Sequence, residues 1–171
     1  MRLRPYIDAL DYPAIERWIT DPRTHAMWCA DLIPFPLSRN GFGEALRNVA
    51  LKHCDTPFVA TTEEGAVIGF FCYSVNLEAN AGKLKFVVID PAHRGEGLGR
   101  TMLCLACRYA FFVSGVSEVR LVVFSANAAA QRCYEAVGFR EDGFDSDAFH
   151  FGEEVWGRRE MVIRAEELSG L

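Results

Sequence analysis

Val87-Val88-Ile89-Asp90-Pro91-Ala92-His93-Arg94-Gly95-Glu96-Gly97-Leu98-Gly99-Arg100-Thr101 is the stretch on which the fold turns. It opens with a continuous apolar run, the mark of a strand buried on both faces. Pro91 stops that run, and glycines follow at alternate positions. Leu98, Met102, Leu105, Tyr109 and Phe112 then recur at helical spacing. A strand that runs through a glycine turn into a helix N-terminus makes an anion site. Glycine lets successive backbone N–H groups face one point, and the helix end adds partial positive charge. Arg94 and Arg100 add full charge and a planar fork suited to phosphate oxygens.

Spacing narrows the ligand. The string G-x-x-x-x-G-K-[ST] of a P-loop is absent. The dinucleotide fingerprint G-x-G-x-x-G is not met either, because the third glycine falls at 99. The pattern present is Arg94-x-x-Gly97-x-Gly99, and downstream stands Asn127-Ala128-Ala129-Ala130-Gln131-Arg132-Cys133-Tyr134-Glu135-Ala136-Val137-Gly138-Phe139. The first resembles the pyrophosphate loop of the GCN5-related N-acetyltransferases (GNAT). The second resembles that family's N-x-x-A-x-x-x-Y-E-x-x-G-F signature. The two motifs stand in the family's order, separated by room for one helix and one strand. Glu96 departs from the pattern, since the family often carries a basic residue there. The likeness covers about residues 58 to 164, and the opening third looks somewhat like the RimJ/RimL-type branch.

The resemblance implies an α+β fold: a mixed sheet of six or seven strands, with strands four and five splayed apart, flanked by about four helices. It implies acetyl-CoA as co-substrate and no metal. Val87, Val88 and Ile89 would pair with the pantetheine arm as an added strand. Arg94, Gly95, Glu96, Gly97, Leu98, Gly99, Arg100 and Thr101 would hold the diphosphate. Asn127 and Ala130 would line the same ligand. The Tyr134 hydroxyl would lie beside the coenzyme sulfur and protonate the departing thiolate, as a phenol protonated at neutral pH can. Asn127 and Gly138 are also good helix caps in their own right.

Outward from the motifs the chain alternates. Leu3 to Ile7 reads as a first strand, and Asp11 to Thr20 as a helix with Pro13 near its start. Asp21-Pro22 ends that helix. Pro34 and Pro36 argue against a regular element in residues 24 to 38, and Phe42 to His53 has helical spacing. Pro57 to Thr62 and Val67 to Val75, joined by Glu63-Glu64-Gly65, read as a hairpin. Lys83 to Asp90 is a strand and Gly97 to Ser114 a helix closed by Gly115. Val119 to Phe124 is a strand and Ala128 to Val137 a helix. Phe139 to Phe144 and Val155 to Arg164 are final strands.

Composition bounds the rest. A chain of 171 residues, half of them hydrophobic, is enough for one domain with a sizeable core. Residues 1–171 are read as that domain. The net charge of −5 and the absence of a basic stripe speak against nucleic acid as a partner. No run approaches the roughly 20 apolar residues that span a bilayer, and Met1 to Pro13 does not read as a secretory signal. The six cysteines read as reduced, mostly buried thiols of a cytoplasmic protein, with Cys104-x-x-Cys107 inside an apolar helix. The oligomeric expectation is a monomer or a homodimer.

The expected reaction is direct attack of a primary amine on acetyl-CoA. The acceptor is a peptide or protein N-terminus, whose α-amine has a pKa of roughly 7.7–8.0. The alternatives are a small amine (polyamine, amino acid or aminoglycoside) or a non-catalytic acyl-CoA-binding module. Where family members often carry a glutamate, this chain has Gly82-Lys83-Leu84-Lys85-Phe86. Candidate bases are therefore scattered: Glu78, Glu44, His53 and Asp145. Trp28, Phe35 and Phe42 either line the acceptor groove or cover the sheet. His93 reads as a loop residue, and His25 and His150 have no partner at metal spacing.

Overall fold

The computed structural model describes residues 1–168. Among them are seven strands: β1 (Arg2–Pro5), β2 (Thr56–Thr61), β3 (Val67–Asn76), β4 (Ala81–Ile89), β5 (Glu118–Phe124), β6 (Arg140–Phe151) and β7 (Glu154–Arg164). They form one mixed sheet in the order β1-β2-β3-β4-β5-β7-β6. Five α-helices flank it: α1 (Asp8–Trp18), α2 (Pro22–Cys29), α3 (Arg39–His53), α4 (Leu98–Phe112) and α5 (Ala128–Val137). Every neighbouring pair of strands is antiparallel except β4 and β5, which run parallel.

The parallel pair is short. It holds from Ala81 opposite Glu118 to Lys83 opposite Arg120, and beyond that the strands diverge. The cause lies in β4. Phe70 pairs with Val88 and Cys72 with Lys85, so Phe86 and Val87 together oppose Phe71 alone. That is a β-bulge, which bends its strand and re-aims side chains. Phe86 sits at φ +53°, a left-handed conformation that a bulky side chain adopts only under constraint. Its ring is buried, and its carbonyl accepts a 2.8 Å hydrogen bond from Trp28 Nε1 on α2.

The sheet separates two cores. Leu84, Val119, Leu121 and Phe139 pack with Met102 and Leu103 of α4. On the opposite face Val59, Phe70, Cys72 and Phe86 pack with Ile15 of α1 and Phe42 of α3. A third, smaller cluster joins α2 to the far strands through Ala26, Phe124 and Trp156.

The opening third differs most from expectation. The first helix begins at Asp8 rather than Asp11, so Pro13 lies inside it and not at its start. Asp11 is fully buried: its carboxylate accepts from both terminal guanidinium nitrogens of Arg4, at 2.7 and 2.8 Å, and from the Ile7 N–H at 2.7 Å. Residues 24–38 do contain a regular element, α2. Asp21-Pro22 is an N-cap followed by a first-turn proline; the Asp21 carboxylate accepts from the Thr24 N–H. Gly115 is not the cap of α4, whose C-cap is Val113; it makes the following turn at φ +72°. The last two strands are joined by a tight turn, and β6 runs on to Phe151, well past Phe144. Five helices stand where about four were expected.

Asp11→Ala strips the Arg4 fork and the Ile7 N–H of a buried acceptor. It is expected to lower unfolding free energy by about 3 kcal/mol. Urea titration checks this as a lower midpoint at unchanged slope; a loss under about 1 kcal/mol would remove Asp11 from the supports of the α1 junction.

Candidate functional site

The divergence of β4 from β5 opens a cleft of about 1880 Å³ that runs from the glycine turn to the α2–α3 side of the sheet. Its two ends differ in chemistry.

At one end Asp90 caps a short 3₁₀ turn, Pro91–His93, by accepting from the Ala92 N–H at 2.9 Å. The chain then passes through Gly95 at φ +84° and Gly97 at φ +77° into α4. A Cβ built on either glycine would meet nothing within 4 Å, so both are chosen for backbone conformation and both face open space. The N–H groups from Gly95 to Arg100 find no acceptor among the described residues. Free amides at a helix N-terminus, with exposed Arg94 and Arg100 beside them, form a cradle for an anion. Gly99 works differently. Its Cβ would lie 3.3 Å from Cys133 Sγ, so it lets α4 approach α5 closely. Leu98 lines the cleft. Thr101 does not; its hydroxyl donates to the Gly97 carbonyl at 3.3 Å and braces the turn. Glu96 also stays outside the lining and faces His93 at 3.4 Å.

Along the middle, Val87, Val88 and Ile89 form one wall. Beyond Lys83 this strand has no β5 partner, so its backbone on that side is open to an extended chain. Asn127, the N-cap of α5, and Ala130 and Tyr134 of that helix line the cleft with it. Asn127 Oδ1 accepts from the Ala130 N–H at 3.2 Å and caps the helix. Tyr134 is buried, and its hydroxyl has no hydrogen-bond partner among the described residues. Burial, with Cys133 adding to it, pushes its pKa well above the usual phenol value. It therefore remains a proton donor throughout the neutral range.

The α2–α3 side closes the cleft differently. Trp28 lines it while holding the Phe86 carbonyl; Phe42 is core and Phe35 stands apart, half exposed against His25. His25 is buried with its Nε2 3.3 Å from Cys29 Sγ. Burial pushes the Cys29 thiol up to about 11, so it stays neutral. Among the candidate bases, Glu78 and His53 line the cleft, whereas Glu44 and Asp145 lie on exposed surface outside it. Two groups escaped the sequence reading. Glu160 of β7 lines the cleft, and Asp55, fully buried just past α3, receives Lys85 Nζ at 2.7 Å. Thirty positions separate Asp55 from Lys85, so no local pattern announces the pair.

Comparison with known proteins agrees with this geometry. The sequence model of the Acetyltransferase (GNAT) family matches residues 12–139. A mycothiol acetyltransferase of Thermobispora bispora is 37% identical over 87 residues, 48% of this chain and 29% of that protein. A spermidine N(1)-acetyltransferase of Vibrio cholerae is 35% identical over 77 residues, 45% of this chain and 44% of that one. The chain thus spans less than half the length of these curated relatives. In fold, it superposes on the crystal structure of a Vibrio cholerae spermidine N-acetyltransferase in complex with CoA and spermine. The TM-score is 0.82 at 21% identity, over 98% of this chain and 96% of that one.

Gly97→Val forces a β-branched residue into a left-handed conformation in the middle of the amide cradle. Saturating coenzyme A is expected to stabilise the parent protein by about 2.7 kcal/mol at a hundredfold excess over Kd, seen as a higher melting temperature. The variant is expected to lose that rise. A rise of equal size in the variant would place the anion elsewhere.

Proposed function

The chain belongs to the acetyltransferase (GNAT) family, and from that premise we propose that it moves an acetyl group from acetyl-CoA to the primary amine of a small molecule. The observation that carries this reading is the cleft itself: a cradle of unpaired amides at one end, an open strand edge along its length, and a buried phenol facing that edge. Its likenesses run to mycothiol and spermidine acetyltransferases, which favours the small-amine acceptor over a peptide N-terminus and over the RimJ/RimL-type branch.

Acetyl-CoA supplies an activated acyl group as a thioester. The amides of Gly95 to Arg100, with the Arg94 and Arg100 side chains, bind the diphosphate. Thr101 braces that turn through the Gly97 carbonyl, and Glu96 lies outside the cleft lining, 3.4 Å from His93 at its rim, so a carboxylate in the loop leaves the anion site intact. Val87, Val88 and Ile89 receive the pantetheine by backbone hydrogen bonds, and Asn127 and Ala130 hold its other side. A backbone N–H of the 86–88 segment, where the bulge interrupts the β3–β4 register, polarises the thioester carbonyl as an oxyanion donor. Tyr134 then gives its proton to the departing sulfur. The amine attacks directly, and a neutral Cys29 thiol is a poor nucleophile at pH 7.

The test is free-thiol release from acetyl-CoA against a panel of small amines and short peptides. Release with a small-amine class is expected. Tyr134→Phe is expected to cut kcat by about a hundredfold or more while the coenzyme-induced melting shift is kept. Release with peptides alone would restore the peptide acceptor, and an unchanged rate in Tyr134→Phe would return that side chain to the core.

A further inference from the structure

Where a carboxylate might be sought, β4 presents Lys83 and Lys85. Before the bulge, odd-numbered side chains face the α1–α3 side; after it, even-numbered ones do, as Phe86 and Val88 show. The bulge therefore leaves Lys85 and Phe86, consecutive in sequence, on one face next to the point where the strands part. Lys85 is only 17% exposed in its side chain, lines the cleft, and is clamped by Asp55.

That clamp is a poor stability device. Asp55 is completely buried, its Oδ2 takes Lys85, and its Oδ1 has no hydrogen-bond partner. A buried, half-satisfied ion pair gains little over apolar packing, and an arrangement of this kind at a cleft wall points to a site role. What it achieves is a fixed ammonium group in the cleft wall beside the bulge, just past the last β4–β5 pair. Lys83 and Lys52 also line the cleft, neither with an ion-pair partner among the described residues. Against them stand Glu78 and Glu160.

We propose that Lys85, held by Asp55, receives the carboxylate of the acceptor, which is a small zwitterion bearing an acidic group beside its amine, as an amino acid does. This rests on the acetyl-transfer reading above and names its substrate class. A polyamine would bring several ammonium groups into a cleft whose wall carries Lys83 and Lys52 without ion-pair partners among the described residues, a like-charge arrangement that selects against it. A zwitterion offers the opposite charge to Lys85 and a single amine to the thioester. Pairing its carboxylate with Lys85 also removes the neighbouring negative charge that keeps an α-amine protonated, so the amine more readily arrives neutral without an acid on β4. The step balances simply. The amine nitrogen bonds to the acetyl carbon and the carbon–sulfur bond breaks. Tyr134 gives its proton to the sulfur and regains one from the nitrogen by way of solvent. The remaining ammonium proton goes to water.

The experiment measures kcat/KM by thiol release for matched pairs, each amino acid beside its amide, with spermidine as the third arm. The parent protein is expected to prefer the free acid by about tenfold or more, with spermidine below both. Lys85→Met is expected to bring the acid-to-amide ratio within about threefold of one, and Lys85→Arg to restore part of it. Should Lys85→Met leave Asp55 unpaired and the chain unfolded, the double variant Asp55→Asn/Lys85→Met removes the lone charge and takes its place. Preference for amides or for spermidine in the parent, or an acid preference that survives loss of Lys85, overturns this inference and leaves acetyl transfer standing. Coenzyme binding with no thiol release from any acceptor overturns the acetyl-transfer reading, and this one with it.

Discussion

One hydrogen bond and one strained residue hold the working part of this molecule together. Phe86 stands in a left-handed conformation inside a central strand, at a cost of roughly 1–3 kcal/mol. Its buried ring and the Trp28 indole donor on its carbonyl offset that cost. The return is geometric. The extra residue bends β4 away from β5, so two neighbouring strands share only three pairs before they part. Every feature of the cleft follows from that parting: the exposed edge of β4, the facing wall of α5, and the position of Lys85.

The same constraint links halves of the chain that the motifs do not connect. The glycine turn builds one end of the cleft and α5 one of its walls. The opening third supplies Trp28, which steadies the bulge, and Asp55, which fixes Lys85. A part of the chain outside the two motifs thus controls the geometry of the part that carries them. The buried Arg4–Asp11 pair, in turn, fixes the start of α1 against the edge of the sheet.

Much of this was legible in sequence because the signals were local. A continuous apolar run, a proline stop, alternate glycines and a helical repeat describe β4, the turn and α4 without reference to anything distant. Asn127 and Gly138 read as caps of α5 and are so. The failures share a cause as well. Asp21-Pro22 ends one helix and begins another, and only the start of α2 reveals the second role. The bulge is hidden because Phe86 to Ile89 is apolar throughout, so a change in which face each residue serves leaves no trace in hydropathy. Gly99 looks like its neighbours but is a packing residue, which depends on where Cys133 lies. The Asp55–Lys85 pair spans 30 positions and joins two elements that only the folded sheet brings together.

A coenzyme seated where β4 and β5 diverge would touch the glycine turn and the open edge of β4. Amide chemical shifts of the nitrogen-15-labelled protein, followed while coenzyme A is added, test it most directly. The largest shifts are expected at Gly95 to Arg100, whose N–H groups lack acceptors among the described residues, and along Val87 to Ile89, with the β1–β2 edge nearly unmoved. Saturable shifts centred on another surface, with these segments unmoved, would contradict it.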